Sequence, residues 1–350
     1  MPPSLTARRL HAQGISAPVA ASPAGAVRHL GAMQAQDYHA ALWAVGLRTQ
    51  GATLAQVEEA IERGEIVRTW PMRGTLHLLA REDVRWMVAL LAPRVQAANA
   101  ARIARDLGLD AAALTRGRHV VEKALAAGTP VTRSALYACM EAAGFASAHQ
   151  RGLHMLNWLA HEGAICQGPR HGKQPTFVLM DAWVPPSAPL GRDEALHRLA
   201  LRYLQGHGPA TAADLAWWSG LTQKDALRAL EFAGSALEKE TRDDTTWWWC
   251  ADAPIPARSR AIHLLPAFDE YLIGYRDRTP VLDAPHTRRV IGINGLVAAT
   301  AIVQGRVVAT WKRAGDTDVA LAPLRALADA EHEGIQRAAQ RWRRFLGDAR

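Results

Sequence analysis

The sequence has few cysteines and no long apolar run. Its three cysteines, Cys139, Cys166 and Cys250, are isolated and form no Cys-x-x-Cys pair. This pattern excludes a disulfide framework, a zinc ribbon and an iron–sulfur cluster, and it is typical of a reducing cytoplasm. Apolar runs such as Met87 to Ala92 are too short to cross a bilayer, and no apolar segment of the signal-peptide type follows the N-terminal arginines. We therefore expect a cytoplasmic protein without a membrane partner.

The common catalytic signatures are also missing. The chain has no His-Glu-x-x-His, no Gly-x-Ser-x-Gly and no Gly-x-Gly-x-x-Gly, and its 14 histidines are scattered. These absences argue against a zinc protease, an α/β-hydrolase and a dinucleotide-binding enzyme. We expect no metal and no cofactor.

Acidic residues are outnumbered, with 33 Asp and Glu against 41 Lys and Arg, so the formal net charge is +8. An excess of this size favours a polyanionic partner such as nucleic acid, although a genomic bias toward arginine codons would produce it as well. The 350 residues are enough for two or three domains with substantial cores.

The sequence pattern predicts a unit of three helices followed by a strand pair, and this unit occurs three times along the chain. This is the order of elements in a winged-helix module, and the repetition makes a chance match less plausible. After Ala261 the pattern changes to short strands, and a helix from Leu324 to Leu346 ends the chain. We predict an α+β protein with three tandem winged-helix modules, a small β-barrel and a terminal helix. The predicted boundaries are 1–110, 111–188, 189–258 and 259–350.

Three segments carry more specific structural predictions. Thr53–Arg63 is predicted as a helix because its first residue can cap it and Gln56 occupies the capping-box position. Glu82–Asp106 is predicted as a long connecting helix with a kink or break at Pro93. Val290–Ile293 is predicted as a strand of the barrel.

Two neutral amides, Gln34 and Gln36, form the first candidate site. On an extended backbone both amides would project from one side, and the apolar Leu30 and Met33 before them suggest the edge of a cleft. Alternatively, the two glutamines flank the start of a helix. Each amide both donates and accepts and can therefore hold a water molecule, and the carbonyl dipoles can stabilise a developing positive charge. Such groups suit glycosidic cleavage of a base that is already cationic, because it leaves without a strong general acid. Solvated loop amides are the alternative, and Asp37 beside them allows a carboxylate base instead.

The segment Arg68–His77 carries basic residues on both sides of Trp70. We predict phosphate contacts for Arg68 and Arg73, and an approach of His77 to the target base. In the structural alternative, Trp70 belongs to the core and Arg73 is a solvated turn residue.

A second group of basic residues lies in the middle module. The predicted hairpin tip Gly168–Gln174 carries Arg170, His171 and Lys173, which we predict to contact DNA as a wing. An exposed tip without a partner is the alternative. His149 and Arg151 lie in the first turns of the module's third helix, where a recognition helix meets DNA.

Two adjacent acids occur in the segment Leu264–Arg278. On a strand, Asp269 and Glu270 would face opposite sides, so they are poor candidates for one catalytic pair. Asp269, with Tyr271 and Tyr275, either organises the wall of a cleft or closes the barrel. The predicted supporting residues are Asp37, His77 and Asp269.

Three separated motifs together resemble the winged-helix DNA glycosylases of the AlkZ/YcaQ-like superfamily: Met33-Gln-Ala-Gln-Asp37, Arg68-Thr-Trp-Pro-Met-Arg-Gly-Thr-Leu-His77 and Leu265-Pro-Ala-Phe-Asp-Glu-Tyr-Leu-Ile-Gly-Tyr275. The resemblance implies three winged helices in a C-shape around DNA, scaffolded by a β-barrel. It also implies excision of N7-alkylated guanine, including bulky adducts and interstrand crosslinks. By this resemblance Gln34 and Gln36 match the catalytic glutamine–hydrophobic–glutamine motif, with the small Ala35 between them. A related branch has Asp in the last position of the motif, where this chain has Gln.

The sequence thus predicts a monofunctional, metal-free DNA glycosylase that acts as a monomer on damaged double-stranded DNA and is associated with the nucleoid. One alternative is a non-catalytic winged-helix regulator that retains undamaged DNA. Another is a resistance protein that sequesters a genotoxin in its cleft.

Overall fold

The computed structural model describes residues 4–254, 256, 261–315 and 318–347. Helices and strands are mixed along this part of the chain, which places the fold in the predicted α+β class. None of the described helices is both long and apolar enough to cross a membrane. The helices are α1 Leu5–Ala12, α2 Pro23–Leu30, α3 Tyr38–Arg48, α4 Leu54–Glu62, α5 Val84–Leu107, α6 Ala111–Leu125, α7 Arg133–Ala142, α8 Arg151–His161, α9 Met180–Trp183, α10 Arg192–His207, α11 Ala212–Ser219, α12 Gln223–Phe232, α13 Glu270–Ile273, α14 Thr287–Val290 and α15 Asp329–Leu346. The strands are β1 Met33–Gln34, β2 Ile66–Met72, β3 Thr75–Ala80, β4 Val131–Thr132, β5 Ile165–His171, β6 Gln174–Leu179, β7 Leu237–Arg242, β8 Thr245–Cys250, β9 Ile262–Leu265, β10 Thr300–Val303, β11 Arg306–Ala314 and β12 Asp318–Pro323.

The chain divides into two compact units. The first unit combines Met1–Glu59, Leu196–Trp218 and Thr222–Arg350, and the second combines Ala60–Ala195 and Ser219–Leu221. The first unit is therefore assembled from segments that are far apart in sequence. The four-part division into three winged-helix modules and a C-terminal region stays a prediction.

In the second unit, two β-hairpins join into one antiparallel sheet with the strand order β3-β2-β5-β6-β4. The hairpins meet where Arg68 lies opposite Gln167, and Arg68 Nη1 donates to Gln167 Oε1 at 2.8 Å. The rings of Trp70 and Phe177 stack with their centroids 6.3 Å apart, inside a core to which α6, α7 and α8 contribute. This burial fixes the register, since a slip by one residue would turn both rings to the other face. It also bears out the structural alternative for Trp70.

In the first unit, β9 to β12 form an antiparallel sheet in the order β12-β11-β10-β9, with α15 packed against β9. Trp311 of β11 and Trp342 of α15 meet edge to face at 5.4 Å. Over the described residues the sheet is open, because β12 and β9 at its ends do not pair with each other. The closed barrel predicted from the sequence is therefore not seen. Four short strands are too few to close around a filled interior, so a helix covers the sheet instead.

Helix α3 was not predicted from the sequence. All eight residues from Ala41 to Arg48 are buried, so the helix has no polar stripe and no amphipathic period. Asp37 is its N-cap, and the Asp37 Oδ1 accepts a hydrogen bond from the backbone N–H of Ala40 at 3.0 Å. The glutamine pair therefore ends directly at a helix start.

The other specific predictions have mixed outcomes. The capping box of α4 is confirmed, since the Thr53 backbone N–H donates to Gln56 Oε1 at 2.9 Å and the Gln56 backbone N–H donates to Thr53 Oγ1 at 3.4 Å. Helix α5 continues through Pro93 without a break. The strand predicted at 290–293 is wrong: Val290 ends α14, and a tight turn follows in which Ile291 bridges to Val297.

Candidate functional site

The glutamine pair lies on an extended segment between α2 and α3 of the first unit. Met33 and Ala35 are buried, whereas Gln34 is half-buried and Gln36 is exposed. This alternation places the two amides on the opposite side from the buried pair, as the spacing predicted. The small Ala35 is fully buried between them.

Both ends of this segment are fixed by local structure. Gly31, with a φ of 78°, ends α2 in a conformation that disfavours other residues. At the other end Asp37 is exposed but its carboxylate caps α3. The Asp37 carboxylate is therefore engaged as a helix cap directly after Gln36, and its supporting role in catalysis stays a prediction.

A second anchor comes from a carboxylate far along the chain. The backbone N–H of Gln34 donates to Glu270 Oε1 at 2.8 Å. The other oxygen, Oε2, accepts from Trp218 Nε1 at 3.0 Å and lies 3.4 Å from His207 Nε2. The Leu265–Tyr275 motif thus connects to the glutamine motif through Glu270, a residue that sequence reasoning set aside.

Asp269 has a different partner. Its two oxygens accept from Arg48 Nη1 and Nη2, each at 2.9 Å, and both side chains are fully buried. Arg48 also donates to Gln13 Oε1 and to the carbonyl oxygen of Ala44. The predicted supporting role of Asp269 at a cleft is corrected to a buried ion pair, because no oxygen of this carboxylate faces solvent.

The two tyrosines of the same motif are buried as well. Tyr275 Oη donates to the carbonyl oxygen of His207 at 3.0 Å, and burial raises the pKa of Tyr275 to about 12. Tyr271 Oη donates to the carbonyl oxygen of Gly305 at 2.9 Å. Both side chains therefore lie in the core of the first unit, and neither of the two roles predicted for them, at a cleft wall or in closing a barrel, is tested by these contacts.

In the second unit, Arg73 and His77 contact each other across the β2–β3 turn. Arg73 Nη2 lies 3.2 Å from His77 Nε2, and His77 Nδ1 lies 2.9 Å from the carbonyl oxygen of Thr75. A carbonyl only accepts, so Nδ1 carries the proton and Nε2 accepts from Arg73. His77 is fully buried and contacts the Arg73 guanidinium, while its approach to a target base stays a prediction.

The basic hairpin tip is formed as predicted. β5 and β6 pair up to His171 and Gln174, with Gly172 at a φ of 57° in the turn. His171 and Lys173 are exposed, and Arg170 is half-buried and donates to the carbonyl oxygen of Lys173. Positive charge is therefore concentrated at one accessible turn.

The residues predicted on the recognition helix differ from each other. His149 is exposed just before α8. Arg151 Nη1 donates to the carbonyl oxygen of Leu107 at 2.7 Å, and its guanidinium lies over the Phe145 ring at 4.6 Å. Arg151 is therefore half-buried and holds the end of α5, and its contact with DNA stays a prediction.

Three residues of the site escaped sequence reasoning: Glu270, His207 and Trp218. The available signal was the adjacent acidic pair after an apolar strand. The two acids were predicted to lie on a strand. In the structure Asp269 is the N-cap of α13, so the two carboxylates need not face opposite sides. Among the described residues, no group of three or more His, Cys, Asp or Glu side chains is arranged to hold a metal ion.

Comparison with known proteins gives a consistent result. The family described as "DNA glycosylase AlkZ-like" matches residues 27–345. The curated "Interstrand DNA cross-link repair glycosylase" of Streptomyces sahachiroi is 26% identical over 317 residues, which is 83% of this chain and 82% of that protein. The solved structure of Streptomyces sahachiroi DNA glycosylase AlkZ superposes with a TM-score of 0.82 at 23% identity, covering 99% of this chain and 96% of that one. At that identity, the structural match shows a shared fold.

Proposed function

Since the chain belongs to the AlkZ-like DNA glycosylase family, we propose that it hydrolyses the N-glycosidic bond of cationic N7-alkylated guanine in double-stranded DNA. The substrate includes bulky adducts and interstrand crosslinks, the latter because the curated relative is named a cross-link repair glycosylase. The observation that carries the proposal is the pair of amides on one side of a backbone segment that is anchored at both ends.

The chemistry follows from the charge of the leaving group. N7-alkylated guanine already carries a positive charge, so its departure needs no strong general acid, and the transition state resembles an oxocarbenium ion. The Gln36 amide positions the attacking water through its donor and acceptor atoms. The Gln34 amide supports that water and directs its carbonyl dipole toward the sugar cation.

Arg73, Arg170 and Lys173 hold the phosphate backbone in this proposal. Such contacts supply affinity that depends on salt and carries no base information. The contact between His77 and Arg73 limits the positions that the Arg73 guanidinium adopts. Base flipping is not required for a lesion that protrudes into a groove.

Formation of abasic sites in alkylated duplex DNA tests the proposal. The wild-type protein should release base from N7-methylguanine duplex, and variants at Gln34 and Gln36 should release it much more slowly. Retention of undamaged duplex without base release would favour a non-catalytic regulator instead. Binding of a free alkylating natural product without base release would favour sequestration.

The basic hairpin tip gives a prediction on DNA affinity. Lys173→Ala should weaken duplex binding and reduce the slope of log affinity against log salt by about one, because one phosphate contact is lost. Base release at saturating protein should not change. Lys224→Ala is the matched control, since Lys224 is an exposed lysine on α12 and its loss removes the same charge. Equal salt slopes for the two variants would contradict a wing that binds DNA.

A further inference from the structure

Glu270 is a carboxylate without access to solvent, and three donors from different parts of the first unit surround it. Its side chain is 1% exposed, and His207 and Trp218 beside it are fully buried. The donors are the Gln34 backbone N–H, Trp218 Nε1 and His207 Nε2. A buried carboxylate persists only when hydrogen bonds and opposite charge offset its desolvation, so these contacts are required together.

The contacts of His207 determine where one proton lies. His207 Nδ1 is 3.1 Å from the carbonyl oxygen of Tyr203, which only accepts, so Nδ1 carries a hydrogen. In a neutral imidazole, Nε2 would then be an acceptor facing a carboxylate oxygen at 3.4 Å, which is unfavourable. A proton therefore lies between His207 Nε2 and Glu270 Oε2, and the pair is neutral as a unit whichever atom holds it.

Aromatic rings enclose this pair. The Tyr203 ring stacks on His207 with the centroids 4.6 Å apart, and Trp218 and Tyr275 lie 5.4 and 5.9 Å from it. On a further side, a Cβ at Gly274 would lie 2.7 Å from the His207 ring, so only glycine fits there. The imidazole consequently has one orientation, and that orientation points Nε2 at Glu270.

We propose that Glu270 is a positioning residue: with the proton it shares with His207, it holds the backbone of Gln34 so that the amides of Gln34 and Gln36 keep a fixed direction. This inference rests on the proposed function for its effect on catalysis. It assigns Glu270 no contact with DNA, because the residue is only 1% exposed. Its action passes through one hydrogen bond to the backbone of Gln34.

Glu270→Gln tests the proposal, because the amide has the same shape but only one accepting atom. If the amide oxygen accepts from the Gln34 backbone N–H, the NH₂ group faces the indole N–H of Trp218, and two donors meet. If the amide is flipped, the NH₂ group faces the Gln34 backbone N–H, and two donors meet there instead. We expect backbone hydrogen exchange at Gln34 to become at least about tenfold faster. We also expect single-turnover base release to slow by about 10²-fold with DNA affinity unchanged, because the reacting groups are displaced by an ångström or less.

Asp83→Asn is the matched control. Asp83 is equally buried, and its carboxylate accepts from Trp86 Nε1 at 2.9 Å, so the same change is made beside an indole N–H in the second unit. This variant should lose stability but leave Gln34 exchange and base release at wild-type values. If Glu270 only stabilised the fold, base release would instead fall in proportion to the melting temperature in both variants.

Trp218→Phe gives a milder test should Glu270→Gln fail to fold. It removes the indole N–H together with the five-membered ring that carries it and keeps one aromatic ring in place at a fully buried position. Exchange at Gln34 and base release should change in the same directions by a smaller factor, because the Glu270 carboxylate keeps its contacts with Gln34 and His207. Unchanged exchange at Gln34 in the folded variants would overturn the anchoring. Faster exchange with unchanged base release would overturn the positioning role. Failure of the wild-type protein to release any base would overturn the proposed function, while hydrogen exchange would still decide the anchoring.

Discussion

Gln36→Ala is expected to slow release of N7-methylguanine from duplex DNA by about 10²- to 10³-fold, the usual effect of removing one preorganised polar group from a transition state. Affinity for the same duplex should stay near wild type, because the interaction is made with the attacking water and not with the phosphates. Gln36 is exposed, so its truncation should leave the fold intact. Single-turnover release at saturating protein measures this rate without product dissociation.

Two controls isolate the amide. Gln340→Ala removes an exposed glutamine from α15 and should leave base release unchanged. Asp37→Asn keeps a good helix cap but removes the carboxylate, so it should have little effect if the amides act and a large effect if Asp37 is the base. Base release by Gln36→Ala at the wild-type rate would contradict the assignment. A large loss of base release in Asp37→Asn alone would contradict it as well.

Asp269→Ala is expected to lower the free energy of unfolding by about 3–5 kcal/mol, because it leaves the fully buried guanidinium of Arg48 without its charged partner. The same substitution removes the cap of α13, since Asp269 Oδ1 accepts from the backbone N–H of Tyr271 at 2.9 Å. Urea unfolding monitored by tryptophan fluorescence measures the change.

Glu240→Ala is the comparison for this variant. Glu240 pairs with Arg242 on the β7–β8 hairpin, and both side chains are exposed, so solvent already screens their interaction. Its loss should leave the unfolding curve near that of the wild type. If the two variants were equally stable, the Arg48–Asp269 pair would not hold the first unit together.

Local features of the fold were predictable from the sequence because short-range chemistry determines them. The α4 capping box depends on Thr53 and Gln56 alone, and the hairpin tip depends on Gly172 and the alternation beside it. Helix α3 was missed because its residues are buried on all sides, which removes the amphipathic signal. A surface helix is recognised in a sequence by the periodic alternation of its apolar and polar faces, and a helix buried on all sides lacks this alternation.

The site itself was predictable only in part. The placement of the Gln34 and Gln36 amides on one side of the segment was predictable because spacing and flanking residues are local features. Glu270 was not, because its contact with Gln34 joins residues 236 positions apart. The contact of the Arg151 guanidinium with the carbonyl oxygen of Leu107 was not predictable either, because it joins two helices. The sequence shows where Arg and Lys residues occur, but not which of their side chains are engaged in contacts within the fold.

The most direct test is the amount of free N7-methylguanine released from a defined duplex by the wild-type protein and by the double variant Gln34→Ala/Gln36→Ala, with DNA binding measured in parallel. If Gln34 and Gln36 are the catalytic residues, the wild-type protein should release the base, the double variant should release it at the background rate, and the two proteins should bind DNA with equal affinity. Release by the double variant at the wild-type rate would contradict the account.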